Sequence, residues 1–131
     1  MSTKTKNLEA IRVCLRNSPV ADSLPEGWED QLFGKHLEHP ERAIQETTII
    51  PMEFGWKPGW FSLHQAGGGL RIAIWSPRFH LHPAARAHID ELKQCLESVL
   101  PSHLVQIRGV EPPGELLRKL RSSPNGTVTR R

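Results

Sequence analysis

The feature that most constrains the fold is an amphipathic segment that follows two strand-like runs. From Pro83 onward, apolar residues recur at spacings of three and four, which predicts a helix over about residues 83 to 99. The apolar positions are Ala85, Ile89, Leu92, Leu96 and Val99. Because such a helix has only one apolar stripe to bury, it requires a sheet face or another helix beside it.

The two strand-like runs before this helix predict an antiparallel hairpin. Residues 60–65 and 70–75 are separated by Ala66-Gly67-Gly68-Gly69, a glycine-rich turn. The second run places its aliphatic residues on one face and its other residues on the opposite face: Leu70, Ile72 and Ile74 against Arg71, Ala73 and Trp75. A tryptophan opposite an aliphatic row suits a sheet that is covered on both sides, so we expect this strand to be central.

The remaining elements are shorter, and together they indicate an α+β fold. Their predicted ranges are a helix at about 8–17 capped by Asn7, a short helix at about 28–33, a strand at 47–50 ended by Pro51, a strand at 103–108 and a basic helix at 115–121. The economical arrangement is a three- or four-stranded, mainly antiparallel sheet with the two main helices packed on one face. We expect one domain over residues 1–121 and a flexible basic tail over residues 122–131.

Length and composition exclude several classes of protein. A chain of 131 residues suits a single domain. No apolar run reaches the roughly 18 to 20 residues that cross a bilayer, and no apolar stretch follows the basic N-terminus as in a signal peptide. The two cysteines, Cys14 and Cys95, lie on predicted apolar stripes, where we expect inert packing thiols and not a disulfide framework or a cysteine-only zinc site.

Histidines raise the question of a metal-dependent enzyme. His80 and His82 alternate on an extended segment, and His88 with Cys95 could complete a set of four ligands. The spacing is not that of a known zinc module, so the sequence favours surface histidines, no metal and no cofactor. The glycine-rich turn lacks the lysine and hydroxyl residue of a phosphate-binding loop. We therefore expect a protein that is not an enzyme.

An aromatic segment provides the candidate interface. Trp56, Lys57, Trp60 and Phe61 crowd a stretch that glycine and proline interrupt at positions 55, 58 and 59. Tryptophans on a constrained loop bury a large area with little loss of entropy, which is typical of contacts between proteins. The same residues could stack nucleic-acid bases, and they could also simply close one end of the core.

Charge is unevenly distributed along the chain. Residues 1–21 hold four basic residues and one acidic residue, and residues 108–131 hold six basic and two acidic residues. Between them, residues 22–53 hold eight acidic and two basic residues. This alternation suits head-to-tail contact between copies, although it is also what solvated faces and tails look like.

Two stretches resemble the tail-terminator or tail-completion (minor tail) proteins of long-tailed bacteriophages. The first is Leu8 to Leu24 (LEAIRVCLRNSPVADSL), an amphipathic helix that runs into a short apolar turn. The second is Leu70 to Pro77 (LRIAIWSP), a strand that leads into the long helix. The resemblance implies a structural subunit that forms a ring, commonly a hexamer, with itself and with other tail or connector proteins as partners. It also implies assembly in the cytoplasm and a place in the virion.

The sequence leaves a second function open, a small nucleic-acid-binding module with a KH-like arrangement over residues 60–110. The sequence pI of about 9.2 is compatible with it. Its candidate contacts are the basic residues of the C-terminal segment: Arg118, Lys119, Arg121, Arg130 and Arg131. Neither function involves a membrane.

Overall fold

A computed structural model describes residues 3–38, 46–66 and 69–122 of the protein. The helices are α1 (Thr3–Arg16), α2 (Trp28–Glu38), α3 (Pro83–Glu97) and α4 (Gly114–Ser122), and the strands are β1 (Glu46–Phe54), β2 (Lys57–Ala66), β3 (Gly69–Trp75) and β4 (Val105–Arg108). Within these ranges, no helix is both long enough and apolar enough to cross a membrane. Apart from Ser122, the tail that we expected to be flexible lies outside the described residues.

The strands form one sheet in the order β1-β2-β3-β4. β1 pairs with β2 and β2 with β3 in antiparallel register, whereas β4 joins β3 in parallel. The parallel pair is possible because α3 returns the chain to the end of the sheet at which β3 begins. The predicted α+β class, the hairpin and the central position of the 70–75 strand are all confirmed.

The hydrophobic core joins three helices to alternate residues of the strands. Leu8 and Ile11 of α1, Phe33 of α2 and Ile89 of α3 belong to one buried cluster. The strand residues of that cluster follow the period of two that places them on one side of the sheet: Ile50, Met52, Phe54, Phe61, Leu63, Leu70, Ile72, Ile74 and Val105. We call this side the core face.

Helix α4 contacts β1 from the other side of the sheet. Ile49 alternates with the core residues of β1 and is only 2% exposed, yet it does not belong to the core cluster. Its burial therefore requires a second covering element, and α4 contacts β1. Partly buried leucines at positions 116, 117 and 120 give α4 an apolar side for this contact.

Element boundaries differ from the predicted ones where a local signal was weaker than its tertiary context. α1 begins before Asn7, so this residue lies within the helix and does not cap it. β1 continues through Pro51 to Phe54 because β1 is an edge strand, where a proline whose nitrogen faces away from the neighbouring strand removes no ladder hydrogen bond. α2 extends five residues beyond the predicted end at residue 33.

The cysteines are the main departure from expectation, because they form a disulfide between α1 and α3. Cys14 is 4% exposed, whereas Cys95 is exposed on the outer side of its helix and not buried on the apolar stripe. α1 packs against α3, which brings the two Cα atoms to 5.9 Å, inside the range of about 4.4–6.8 Å that a disulfide spans. The two residues are 81 positions apart, so only the tertiary fold could reveal the pair.

Opening this disulfide should lower stability substantially, because it closes a loop of 81 residues. The loss of loop-closure entropy corresponds to about 4 kcal/mol in the free energy of unfolding. Urea unfolding with and without a reductant measures it, and the Cys14→Ser/Cys95→Ser double variant serves as a control that should not respond to the reductant. Two reactive thiols in the native, unreduced protein would contradict the pairing.

Substitution of Gly59 should also destabilise the fold. A Cβ atom at this position would lie 2.5 Å from the ring of Phe54 and 2.7 Å from the carbonyl oxygen of Trp75. We expect Gly59→Ala to lower the free energy of unfolding by about 1–3 kcal/mol, as overpacking typically does. Gly34→Ala in α2 is the matched control. Its Cβ would meet nothing closer than 3.5 Å, so it should raise stability by about 0.5–1 kcal/mol. Thermal unfolding of both variants measures these changes. An unchanged stability of Gly59→Ala would show that the strand has room for a Cβ atom at this position.

Candidate functional site

The side of the sheet opposite the core face carries polar, basic and aromatic side chains in three rows across the strands. We call this surface the open face. Strand register defines the rows, because residues directly paired across neighbouring strands lie side by side. The aromatic row is Pro51, Trp60, Trp75 and Arg108; the small row, named for the two short side chains at its centre, is Ile49, Ser62, Ala73 and Gln106; the polar row is Thr47, His64 and Arg71.

The aromatic row is held in place by hydrogen bonds and by an arginine. Nε1–H of Trp75 donates to Oγ of Ser62 at 2.9 Å, which directs the indole across the sheet toward β2. The guanidinium of Arg108 lies 5.8 Å from the ring centroid of Trp75, within the range of a cation–π contact. Trp60 is the direct partner of Trp75 in the ladder, and both side chains are only partly buried.

The polar row presents hydrogen-bonding groups and a positive charge. Oγ1 of Thr47 and Nδ1 of His64 share a hydrogen bond of 2.6 Å. The Arg71 side chain is exposed, and within the described part of the chain it makes no ion pair. Nζ of Lys119 in α4 donates to the backbone oxygen of Thr47 at 3.3 Å, which adds a second positive charge beside this row.

A pocket of about 220 Å³ lies between these rows. Its lining includes Ser62 and Ala73 of the small row, Trp75 on one side and Arg71 on the other. Leu116 of α4 also lines the pocket. The pocket exists because short side chains in the middle row stand between long side chains in the two outer rows.

The charges on the two sides of the molecule differ in how far they are paired with opposite charges. Glu29, from the acidic segment of the sequence, pairs with Arg16 and lies 3.6 Å from Nε of Arg12 in α1. Arg12 also pairs with Glu9 at 2.6 Å. Part of the acidic segment is therefore neutralised by the basic N-terminal segment of the same chain. On the open face, by contrast, Arg71 and Arg108 are exposed on neighbouring strands, and the acidic residue of β1 on this side, Glu53, is at the far end of the strand from Thr47.

The predicted interface residues do not form one patch. Trp56 and Lys57 lie at the turn between β1 and β2, where Nζ of Lys57 is 3.9 Å from the ring centroid of Trp56. Trp60 belongs to the open face, whereas Phe61 points to the core and is completely buried. The stretch we expected to be a loop is a tight hairpin turn, and the alternation of its second strand sends neighbouring aromatic residues in opposite directions.

The turn itself forms a second exposed site, which we call the Trp56 turn. Trp56 is 65% exposed, and its ring centroid lies 4.9 Å from that of His82 in an edge-to-face arrangement. The N–H of Gly55 donates to Nδ1 of His88 at 2.8 Å, and the φ of Gly55 is +74°, a conformation that favours glycine. These contacts fix the turn against the start of α3 and hold the indole outward.

The candidate metal ligands are engaged separately. His82 contacts Trp56, His88 accepts the hydrogen bond from Gly55, and His80 lies edge-on to Phe79. Cys95 is bonded to Cys14. Over the described ranges, no three histidine, cysteine or acidic side chains are close enough together to hold a metal ion.

Only some of the candidate nucleic-acid contacts of the C-terminal segment are among the described residues. Arg118 and Lys119 lie on α4, next to the open face. Arg121 is in the last turn of α4 but its side chain is outside the described residues, as are Arg130 and Arg131.

Sequence reasoning missed most of the open face. It noted that Arg71, Ala73 and Trp75 share one side of a strand, but it interpreted Trp75 as a sign of burial on both sides. The parallel partner β4, which brings Gln106 and Arg108 beside them, could not be read from alternation within one strand. The signal that could have found the site is an arginine four positions before a half-buried tryptophan on the same side of the strand, with an alanine between them.

Comparison with known proteins adds no identification. No protein-family model matches the chain, and searches of curated proteins and of solved structures found no match either.

Proposed function

We propose that this chain is a non-enzymatic binding protein whose open face binds single-stranded nucleic acid. The observation that carries the proposal is the pair of partly buried tryptophans, Trp60 and Trp75, which are directly paired in the ladder. Arg108 lies beside Trp75 on β4, and Arg71 lies four residues before Trp75 on the same side of β3. An exposed sheet face with aromatic residues is a surface on which several RNA-binding domains stack bases.

The geometry of the aromatic row supports stacking. Base stacking on aromatic side chains is tolerant of sequence because every base has a π-face. The hydrogen bond from Trp75 to Ser62 orients the indole before any ligand arrives, so less conformational entropy is lost on binding. Trp60 extends the same surface by one strand.

The charge of the open face supports a phosphate backbone as ligand. Arg71 and Arg108 are exposed on neighbouring strands, and Lys119 of α4 reaches the same side at Thr47. Basic side chains that flank stacking residues are the usual combination in single-strand binding. Glu29 of the acidic segment lies on α2 and pairs with Arg16 of α1, and both helices pack on the core face.

Replacing Arg71 tests the electrostatic part. We expect Arg71→Gln to weaken binding to a twelve-nucleotide single strand and to reduce the slope of log affinity against log salt by about 0.7, the value for one phosphate contact on a single strand. Fluorescence anisotropy over a salt series measures this slope. Arg86→Gln is the matched control. It makes the same change in net charge on the exposed side of α3, away from the open face, and should leave the slope unchanged. Equal slopes for the two variants would contradict the proposal.

Replacing Trp60 tests the stacking part. We expect Trp60→Leu to reduce affinity about fivefold or more, since stacking one base on an aromatic side chain is worth about 1–3 kcal/mol. Trp56→Leu removes an indole that is more exposed but lies outside the open face, so affinity should stay within twofold of the unmodified protein. A larger loss for Trp56→Leu than for Trp60→Leu would move the binding surface to the Trp56 turn.

The Trp56 turn favours a second candidate function, that of an assembly subunit. An indole that is 65% exposed and fixed by Lys57 and His82 is suited to be an anchor in a contact between proteins. Together with the resemblance to phage tail-terminator proteins, it supports a ring of identical copies that contacts other tail proteins.

The oligomeric state tests this second candidate. If the chain assembles through the Trp56 turn, it should sediment as a discrete multimer, and Trp56→Ala should shift it to the mass of a monomer. Arg71→Gln leaves the turn unchanged and should not alter the mass. If the unmodified protein has the mass of one chain, 14.8 kDa, in sedimentation at high concentration, assembly would be contradicted.

A further inference from the structure

We propose that the pocket of the open face holds one unstacked base of the bound strand, with position 4 of the base against the side-chain amide of Gln106, and that it therefore favours uracil over cytosine. This inference rests on the proposed function, since it describes how a single strand would be read on that surface. It adds a preference among bases, which stacking and charge alone do not provide.

The size of the pocket suits part of a ligand. Its volume of about 220 Å³ exceeds the about 150 Å³ cavity that accommodates a benzene ring. It is smaller than the roughly 300–1,000 Å³ of sites that enclose a whole small molecule. A single base, whose sugar and phosphate remain outside on the open face, matches this intermediate size.

The position of the pocket suits a base that leaves a stack. Trp75 forms part of its lining and also belongs to the aromatic row, so a base in the pocket lies next to the stacking surface. Arg71 lines the opposite side and is exposed, where it can contact the phosphate of the same nucleotide. A strand that runs along β3 would pass both residues.

The hydrogen-bonding groups around the pocket determine the preference. Nη2 of Arg108 donates to Oε1 of Gln106 at 2.7 Å, and because a guanidinium only donates, the atom that it contacts must be the amide oxygen. The amide NH₂ of Gln106 is therefore left as a donor. Oγ of Ser62 accepts from Trp75 and donates to the carbonyl oxygen of Ala73, at the long distance of 3.4 Å. Gln106 and Arg71 thus present donors to the pocket. Thr47 and His64, which also line it, share a hydrogen bond with each other.

Comparing uracil with cytosine tests whether the pocket presents a hydrogen-bond donor to the base. Both have a single ring of the same size and an acceptor at O2, but at position 4 cytosine carries an amino donor and uracil carries a carbonyl oxygen acceptor. A donor amide that faces an amino group leaves both without a partner, whereas the same amide facing a carbonyl forms a hydrogen bond. We therefore expect oligouridine to bind more tightly than oligocytidine.

The experiment compares U12 and C12 by fluorescence anisotropy at one salt concentration. We expect the unmodified protein to favour U12 by about tenfold. Ala73→Leu fills the pocket from the small row, while Ala87→Leu makes the same change on the exposed side of α3. Ala73→Leu should reduce the preference to less than twofold, whereas Ala87→Leu should keep the preference.

Thermal unfolding shows whether Ala73→Leu is folded. Gln106→Leu provides a second test, because it removes the donor without filling the pocket. It should also abolish the preference. Equal binding of U12 and C12 by the unmodified protein, or a preference that survives Gln106→Leu, would overturn the inference while leaving the proposed function in place. If neither oligonucleotide binds at low salt, the proposed function itself fails.

Discussion

The antiparallel pairing of β2 with β3 is the interaction on which the core and the open face both depend. In its register Phe61 lies opposite Ile74 on the core face, and Trp60 lies opposite Trp75 on the other side. Because side chains alternate with a period of two, a slip of one residue on either strand would send an indole into the core and an aliphatic residue to the surface. The apolar contacts that stabilise the core thus fix the position of the candidate site.

The opposite side of the molecule is stabilised by contacts between segments that are distant in sequence. The disulfide joins α1 to α3 across 81 residues, and Glu29 connects α2 to Arg16 of α1. These contacts tie three helices to one another on the core face, where the buried cluster also joins them to the sheet. The open face does not have to supply that stability, so its side chains are free to be polar and exposed.

Features that depend on a pattern within one segment of the sequence could be predicted, whereas features that depend on contacts between distant segments could not. The hairpin and α3 carry period-two and period-3.6 patterns within single segments, and both were predicted correctly, with Pro83 at the start of the helix. The Cys14–Cys95 pair and the parallel pairing of β4 depend on how separate segments meet, which no local pattern records. The interface prediction treated residues 54–61 as a loop, and the tight turn at Gly55 divides those residues among three environments.

The same reasoning explains why the open face escaped prediction although its residues were noticed. A tryptophan opposite an aliphatic row is compatible with burial on both sides, and α4 does cover β1 and one border of the pocket. What the strand alone cannot show is that the cover ends before β3 and β4, where Arg71, Gln106 and Arg108 are exposed. A half-buried indole next to exposed arginines has an apolar surface that the described part of the chain leaves partly uncovered. Together with a pocket whose width is determined by Ser62 and Ala73, this arrangement favours a ligand that is flat, partly apolar and negatively charged along its backbone.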